Sequence, residues 1–230
     1  MTPDHTIVIE EASLELVPKK LRSHKSCKLV YERFGIPPEI QILDRNYHGE
    51  AIRDLPDSEK RGRPDVVHLA VLDVTSTPLF FQNRIRLVVH TREGIVISLR
   101  EGTRPPRTLQ RFCGVMAKIL SSSYGRAEES FFEIRESMNF KQLISFLGPE
   151  NVISFSRLGK REELRNIFNS QRLASGKSTI LVVGGFPHGS LKEDIIRLSD
   201  DVVSISRYSL PAHTVTARIC YELEIGLGVP

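Results

Sequence analysis

The sequence of 230 residues has no tryptophan and only three cysteines. Cys27, Cys113 and Cys220 form no CxxC pair and no even set, which excludes a disulfide framework. They fit a reducing, cytoplasmic compartment. No apolar run approaches the roughly 18–20 residues that a membrane span needs. The longest, such as Ile180–Phe186, are strand-sized. The chain opens Met1-Thr2-Pro3-Asp4-His5, without a basic region followed by an apolar stretch, so neither a secretory signal nor a membrane partner is expected. Its seven histidines show no HxxxH or carboxylate spacing of the kind zinc needs, and no metal is expected. GxSxG and the dinucleotide GxGxxG are both missing, and the isolated cysteines have no base beside them.

A hydrophobic fraction of 40% and a charged fraction of 26% describe a chain able to bury a core. At ~100–200 residues per domain, the length allows one large domain or two small ones. The formal charge of +4 is a weak pointer to a polyanion, but its distribution is uneven. From Arg84 to Arg111 there are seven arginines, no lysine and two acids, Glu93 and Glu101, a local net of +5. Guanidinium forks suit phosphates and base edges better than ammonium groups do.

Hydrophobic patterning predicts a strand at Thr6–Ile9 and a helix at Cys27–Phe34. A short strand at Ile40–Leu43 would deliver Asp44, and a helix would cover His48–Leu55. Residues Asp57 to Pro64 read as a charged loop, with Pro64 opening a helix that runs to about Val74. Arg84–Val89 and Ile95–Leu99 alternate like paired strands around a Glu93-Gly94 turn. After Pro105-Pro106 comes an amphipathic helix. With Arg107 at 0° and 100° per residue, Leu109, Phe112, Cys113, Met116, Ile119 and Leu120 fall between about 120° and 240°. Arg111 and Lys118 fall beside Arg107 on the far side, with Gly114 next to them. A solvated arginine face and a phosphate-binding stripe both fit this pattern.

The last third alternates strand and helix. Strands at Asn151–Ser156, Thr179–Val183 and Asp201–Ser206 are separated by helical patterns at Arg161–Phe168 and Leu191–Leu198, and a last helix covers about Ala212–Leu223. This is the βαβ rhythm of a parallel sheet. Ligands of such sheets bind beyond the carboxyl ends of the strands. The segments there are Ser156-Arg157-Leu158-Gly159, Gly184-Gly185-Phe186-Pro187-His188-Gly189, and Ser206-Arg207-Tyr208-Ser209-Leu210-Pro211-Ala212. Their small residues let backbone groups approach a ligand. Ser175-Gly176-Lys177-Ser178 imitates a P-loop ending, but Gln171 stands where that motif needs glycine, and a strand follows it rather than a helix. His68 reads as a structural histidine on the inward face of its helix. Arg61-Gly62-Arg63-Pro64 could be read as a minor-groove hook, but it runs into an apolar helix, so DNA is not the expected partner. Asp65, two residues after Arg63 at the start of that helix, is placed either to cap the helix or to fix the Arg63 guanidinium.

Seven segments, in order along nearly the whole chain, resemble the ribosome-biogenesis pseudouridine-N1-methyltransferases of the SPOUT class, archaeal type. They are Ile42-Leu43-Asp44, Arg61 through His68, Thr77-Pro78-Leu79, Val89-His90-Thr91, Arg104 through Gly114, Val182 through Gly189, and Ser204 through Leu210. The resemblance implies a single α/β domain over residues 1–230, a trefoil-knotted parallel sheet with flanking helices and an inserted β arm at about 75–102. It implies a homodimer and S-adenosyl-L-methionine held in the knot. Carried over by position, Gly184 and Gly189 bracket one cofactor loop. Ser204, Ile205, Ser206, Arg207, Tyr208, Ser209 and Leu210 form another. Arg63 is implied to contact the substrate base with Asp65 holding it, and Arg104, Arg107 and Arg111 to contact small-subunit ribosomal RNA. The activity implied is methylation of N1 of a pseudouridine in that RNA. The alternative is an assembly factor that binds ribosomal RNA without catalysis.

Overall fold

The computed structural model describes residues 5–121, 132–135, 138–169 and 178–229. Strand β1 is His5–Ala12, followed by helices α1 at Lys25–Phe34, α2 at Arg45–Ile52, α3 at Pro64–Thr75 and the short α4 at Pro78–Phe81. Strands β2 at Ile85–Thr91 and β3 at Val96–Leu99 lead to α5 at Leu109–Leu120, β4 at Phe132–Arg135 and α6 at Phe140–Leu147. The remainder is β5 at Asn151–Arg161, α7 at Leu164–Asn169, β6 at Thr179–Gly184, α8 at Glu193–Arg197, β7 at Asp201–Ser204 and α9 at Ala212–Leu227.

The strands form one seven-stranded sheet in the order β4-β3-β2-β1-β6-β5-β7. Pairing is parallel from β2 to β7 and antiparallel where β3 and β4 join the edge. The central strands are buried on both faces, which explains their almost unbroken apolar runs. Side chains alternate between two cores. Ile7, Ile9, Leu87, Val89, Leu181 and Val183 face α3, α5 and α9, whereas Val8, Val88, Ile180 and Val182 face α6 and α8. Val17, Cys27, Leu43, Ile52 and Leu55 form a third, smaller cluster where α1 and α2 pack.

Several expected elements differ. Ile40–Leu43 makes no strand; Ile42 forms only a bridge to Leu16, and Asp44 instead caps α2 by accepting from the Asn46 N–H at 2.8 Å. That cap starts α2 three residues before the expected His48. The expected β arm at 75–102 is built into the main sheet, because β2 pairs with β1 along its length. β5 continues past Ser156 to Arg161, with a register break against β7 between Phe155 and Lys160. α9 runs one turn beyond Leu223 to the Gly228 cap. The P-loop look-alike lies outside the described residues, except Ser178. His68 behaves as read: it is buried, its Nε2 lies 2.8 Å from the Pro106 carbonyl, and its ring packs on Phe112.

The charged loop is the largest surprise. Lys60 is buried, and its ammonium donates to both oxygens of buried Glu11 at 3.0 and 3.1 Å. Arg61 grips buried Glu15 with a two-pronged contact, one arm at 2.9 Å. Glu11 has a left-handed φ of 51° at a break in the β1–β2 register. This bulge turns two consecutive carboxylates inward, because an extra residue interrupts the strict alternation of a strand.

The other inward carboxylate, Glu10, holds His90 at 2.7 Å, and the second ring nitrogen lies 2.9 Å from the Met138 carbonyl. Burial alone would disfavour a charged ring, but the Glu10 carboxylate and the Met138 carbonyl outweigh it and raise the His90 pKa above its ordinary 6.5. A group whose folded-state pKa is raised stabilises the fold fully below its unfolded pKa and loses that stabilisation as pH rises through the folded value. Thermal melts should therefore show a loss of stability as pH climbs above 6.5. The His90→Gln variant should lack that slope.

Candidate active site

Arg63 ends the segment that Lys60 and Arg61 anchor. Its backbone N–H donates to Ser13 Oγ at 2.8 Å, and Pro64 then starts α3, where a missing N–H costs nothing. The Arg63 guanidinium forms a two-pronged contact with Asp65, Nε to Oδ1 at 2.8 Å and Nη2 to Oδ2 at 2.7 Å. Both side chains remain about one-third exposed. The hydrogen bonds from Arg63 hold the Asp65 carboxyl below the usual carboxylate range, and the same contact raises the guanidinium. Burial pushes nearby Asp44 the other way, upward, with the negative charge of Asp65 adding to it. Cys113 is pushed up to about 12, mainly by burial, which removes it as a nucleophile at neutral pH.

Arg63 and Asp65 share a cavity of about 850 Å³ with the register break of β5 and the segments at the ends of β6 and β7. From the first come Phe155, Ser156 and Arg157; from the second, Gly184 and Phe186 through Leu191; from the third, Val203 through Pro211. Every expected loop residue from Ser204 to Leu210, together with Gly184 and Gly189, therefore lines one space. The third loop is braced by its own serines: Ser204 Oγ donates to the Ser206 carbonyl at 2.9 Å, and Ser206 Oγ accepts from the Tyr208 N–H at 3.0 Å.

The second loop is held from below. The Lys60 ammonium donates to the Ser190 carbonyl and sits 4.5 Å from the Phe186 ring centroid. Glu11 accepts from the Lys192 N–H at 3.0 Å. Gly189 turns the chain with φ +98°, a conformation that side chains rarely adopt. At Gly185 an added Cβ would lie 2.6 Å from Ile9 Cγ2 and 2.9 Å from Ala12 Cα. Gly185→Ala should destabilise the protein by about 1–3 kcal/mol through overpacking, read as a lowered melting temperature.

Of the expected RNA contacts, Arg63 lines this cavity, whereas Arg104, Arg107 and Arg111 lie outside it. Arg104, Arg107 and Arg111 are all exposed. Arg107, however, precedes α5, whose cap is Thr108 and whose first residue is Leu109. The predicted helical face shared by Arg107 and Arg111 is thus replaced by a loop-to-helix arrangement, because the helix begins only at Leu109, after the Pro105-Pro106 segment. Arg92 does not join these residues. Its side chain is 12% exposed and pairs with Asp57 at 2.6 Å. Sequence reasoning missed Leu69 on α3 and His213 and Val215 on the first turn of α9, all of which line the cavity. The signal was available, since α9 starts immediately after the third loop.

A model of the EMG1/NEP1 methyltransferase family matches residues 7–224. The chain is 34% identical to the ribosomal RNA small subunit methyltransferase Nep1 of Thermococcus kodakarensis, over 97% of this chain and 99% of that one. It is 32% identical to the protein of that name from Pyrococcus furiosus, over 95% and 96%. Among solved structures, the crystal structure of Archaeoglobus fulgidus Nep1 bound to S-adenosylhomocysteine superposes with a TM-score of 0.82 at 30% identity, covering 99% of this chain and 100% of that chain.

Proposed function

The chain belongs to the EMG1/NEP1 methyltransferase family, and from that premise we propose that it transfers a methyl group from S-adenosylmethionine to N1 of a pseudouridine in small-subunit ribosomal RNA. The observation that carries this reading is the meeting of the β5 register break and the loops after β6 and β7 with the Arg63–Asp65 pair at one cavity. The cavity volume lies within the roughly 300–1,000 Å³ of small-molecule sites. Its walls combine backbone groups from the second and third loops with the apolar side chains Val183, Ile205, Leu210 and Val215. These features suit a nucleoside carrying an amino-acid tail.

When bound, S-adenosylmethionine supplies an electrophilic methyl group on a sulfonium. The protein's part in such an in-line displacement is proximity and orientation. Gly184, Gly189 and the residues from Ser204 to Leu210 hold the cofactor. Arg63 faces the base and stabilises the negative charge that develops as N1 gives its proton to solvent, and transfer of the methyl group to N1 would leave S-adenosylhomocysteine. Asp65, with its pKa held down by Arg63, is a poor proton acceptor, so its part is to fix the Arg63 fork. Arg104, Arg107 and Arg111 bind phosphates of the RNA.

The finer family reading also covers the trefoil-knotted arrangement of the C-terminal third and a homodimer. The dimer is supported by exposed Leu69 on α3, Phe81 on α4, and Tyr221 and Ile225 one turn apart on α9. Among the described residues, no helix is long and apolar enough to cross a membrane.

The deciding experiment offers the purified protein labelled S-adenosylmethionine and matched small-subunit hairpins containing uridine or pseudouridine. Label should enter only the pseudouridine hairpin. Cofactor binding without incorporation into either hairpin would favour an assembly role.

A further inference from the structure

A second concentration of positive charge lies between Lys19 and Arg33, where six cations face one acid, Glu32. With the arginines from Arg84 to Arg111, these two segments hold +10 of a chain whose total is +4. The same surface exposes aromatic rings. Tyr31 and Phe34 on α1 and Tyr47 on α2 are 53%, 37% and 46% exposed. Phe34 and Tyr47 meet edge to face, with centroids 5.5 Å apart. The Arg33 guanidinium lies 5.0 Å from the Phe34 centroid. Lys19, Lys20 and Lys28 are also exposed, Lys28 on α1 itself.

This surface adjoins the Arg63 site. The Arg45 N–H, at the start of α2, donates to the Gly62 carbonyl at 2.8 Å, which fixes the first turn of α2 against the residue before Arg63. Asp44, the cap of the same helix, feels the charges of both Arg63 and Asp65. Tyr47 lies less than one helical turn further on, so about 5 Å along the axis.

We propose that Phe34 and Tyr47, with Arg33 and Lys28, form a stacking platform for a single-stranded nucleotide flanking the methylated residue of the RNA. The inference rests on the RNA-methyltransferase reading above and adds a recognition site to it. An exposed aromatic pair bracketed by cations is the arrangement that binds unpaired nucleotides, because every base has a face to stack and every nucleotide a phosphate. The rings are held in place by α1 and α2 packing over the third hydrophobic cluster, so little ordering is needed on binding.

The test uses the full protein and a pseudouridine hairpin. Phe34→Leu/Tyr47→Leu keeps apolar bulk and removes the aromatic faces. Its RNA affinity should fall about tenfold or more, with an unchanged dependence on salt, since stacking releases no counterions. Affinity for S-adenosylhomocysteine should match that of the parent. Lys28→Ala/Arg33→Ala should instead flatten the salt dependence by about 1.4–1.8 units of slope. A measurement on the unaltered protein stands beside these. Hairpins carrying 5-iodouridine at successive loop positions should photocrosslink to peptides containing Phe34 or Tyr47. Parental RNA affinity in the leucine variant, or crosslinks confined to other peptides, would overturn the platform and leave this face to a protein partner. Failure of the RNA-binding reading itself would look different: the Arg104, Arg107 and Arg111 variants would also bind as the parent does.

Discussion

Arg63→Ala is expected to lower the methylation rate by about 10²–10³-fold while leaving affinity for S-adenosylhomocysteine unchanged. The guanidinium lines the cavity and is held in a fixed geometry by its two contacts to Asp65. Removing it deprives the deprotonating base of charge stabilisation at the transition state. The loss should therefore appear in kcat more than in KM. Arg63→Lys should restore little, because an ammonium cannot reproduce the two-pronged fork. Asp65→Asn should give a smaller loss, since the fork loosens but its charge remains. Both side chains are partly exposed, so water can solvate Asp65 in the alanine variant and the fold should survive. Single-turnover kinetics with pseudouridine hairpins, alongside a melting curve, measure both quantities. A parental rate in Arg63→Ala would remove the base-contacting role.

Replacing Arg104, Arg107 and Arg111 together by alanine should reduce RNA affinity by about 10²-fold at 0.1 M salt. Three phosphate contacts correspond to a change of about 2–2.7 units in the slope of log affinity against log salt, and the defect should shrink as salt rises. The three residues are exposed within one short stretch that leads into α5. None of them lines the cavity, so cofactor affinity should be unaffected. Binding isotherms between 0.05 and about 0.5 M salt decide the matter. Slopes parallel to those of the parent would assign RNA binding to another surface.

The parts of this site that rest on strand ends were legible from the sequence. Runs such as Thr179–Val183 can sit only in a buried strand, and in a parallel sheet the residues after them gather at one edge. Arg63-x-Asp65 was legible for a local reason too. Proline at the next position fixes where the helix begins, and two residues then bring carboxylate and guanidinium together. Lys60 and Arg61 were not legible. A run of charges reads as a solvated loop unless its partners are known, and Glu11 and Glu15 lie far away in sequence. The bulge that turns Glu11 inward leaves no mark in an alternating pattern. Counting arginines along the chain likewise merged Arg92 with Arg104, Arg107 and Arg111, although folding pairs Arg92 with Asp57 and leaves the other three in solvent.

Lys60 and Arg63 stand three residues apart on one strap of chain, yet one grips the loop around Ser190 and the other is clamped to Asp65 at the cavity wall. A cofactor held by that loop and an RNA base contacted by Arg63 would be coupled through this strap. Whatever factor RNA contributes to cofactor affinity, the cofactor must return to RNA. Lys60→Met should bring any such enhancement toward unity, while Glu11 keeps the Lys192 N–H at 3.0 Å and the Arg92 and Lys192 cations at 3.8 Å, so the fold should survive. Titrating each ligand with and without the other closes the thermodynamic square.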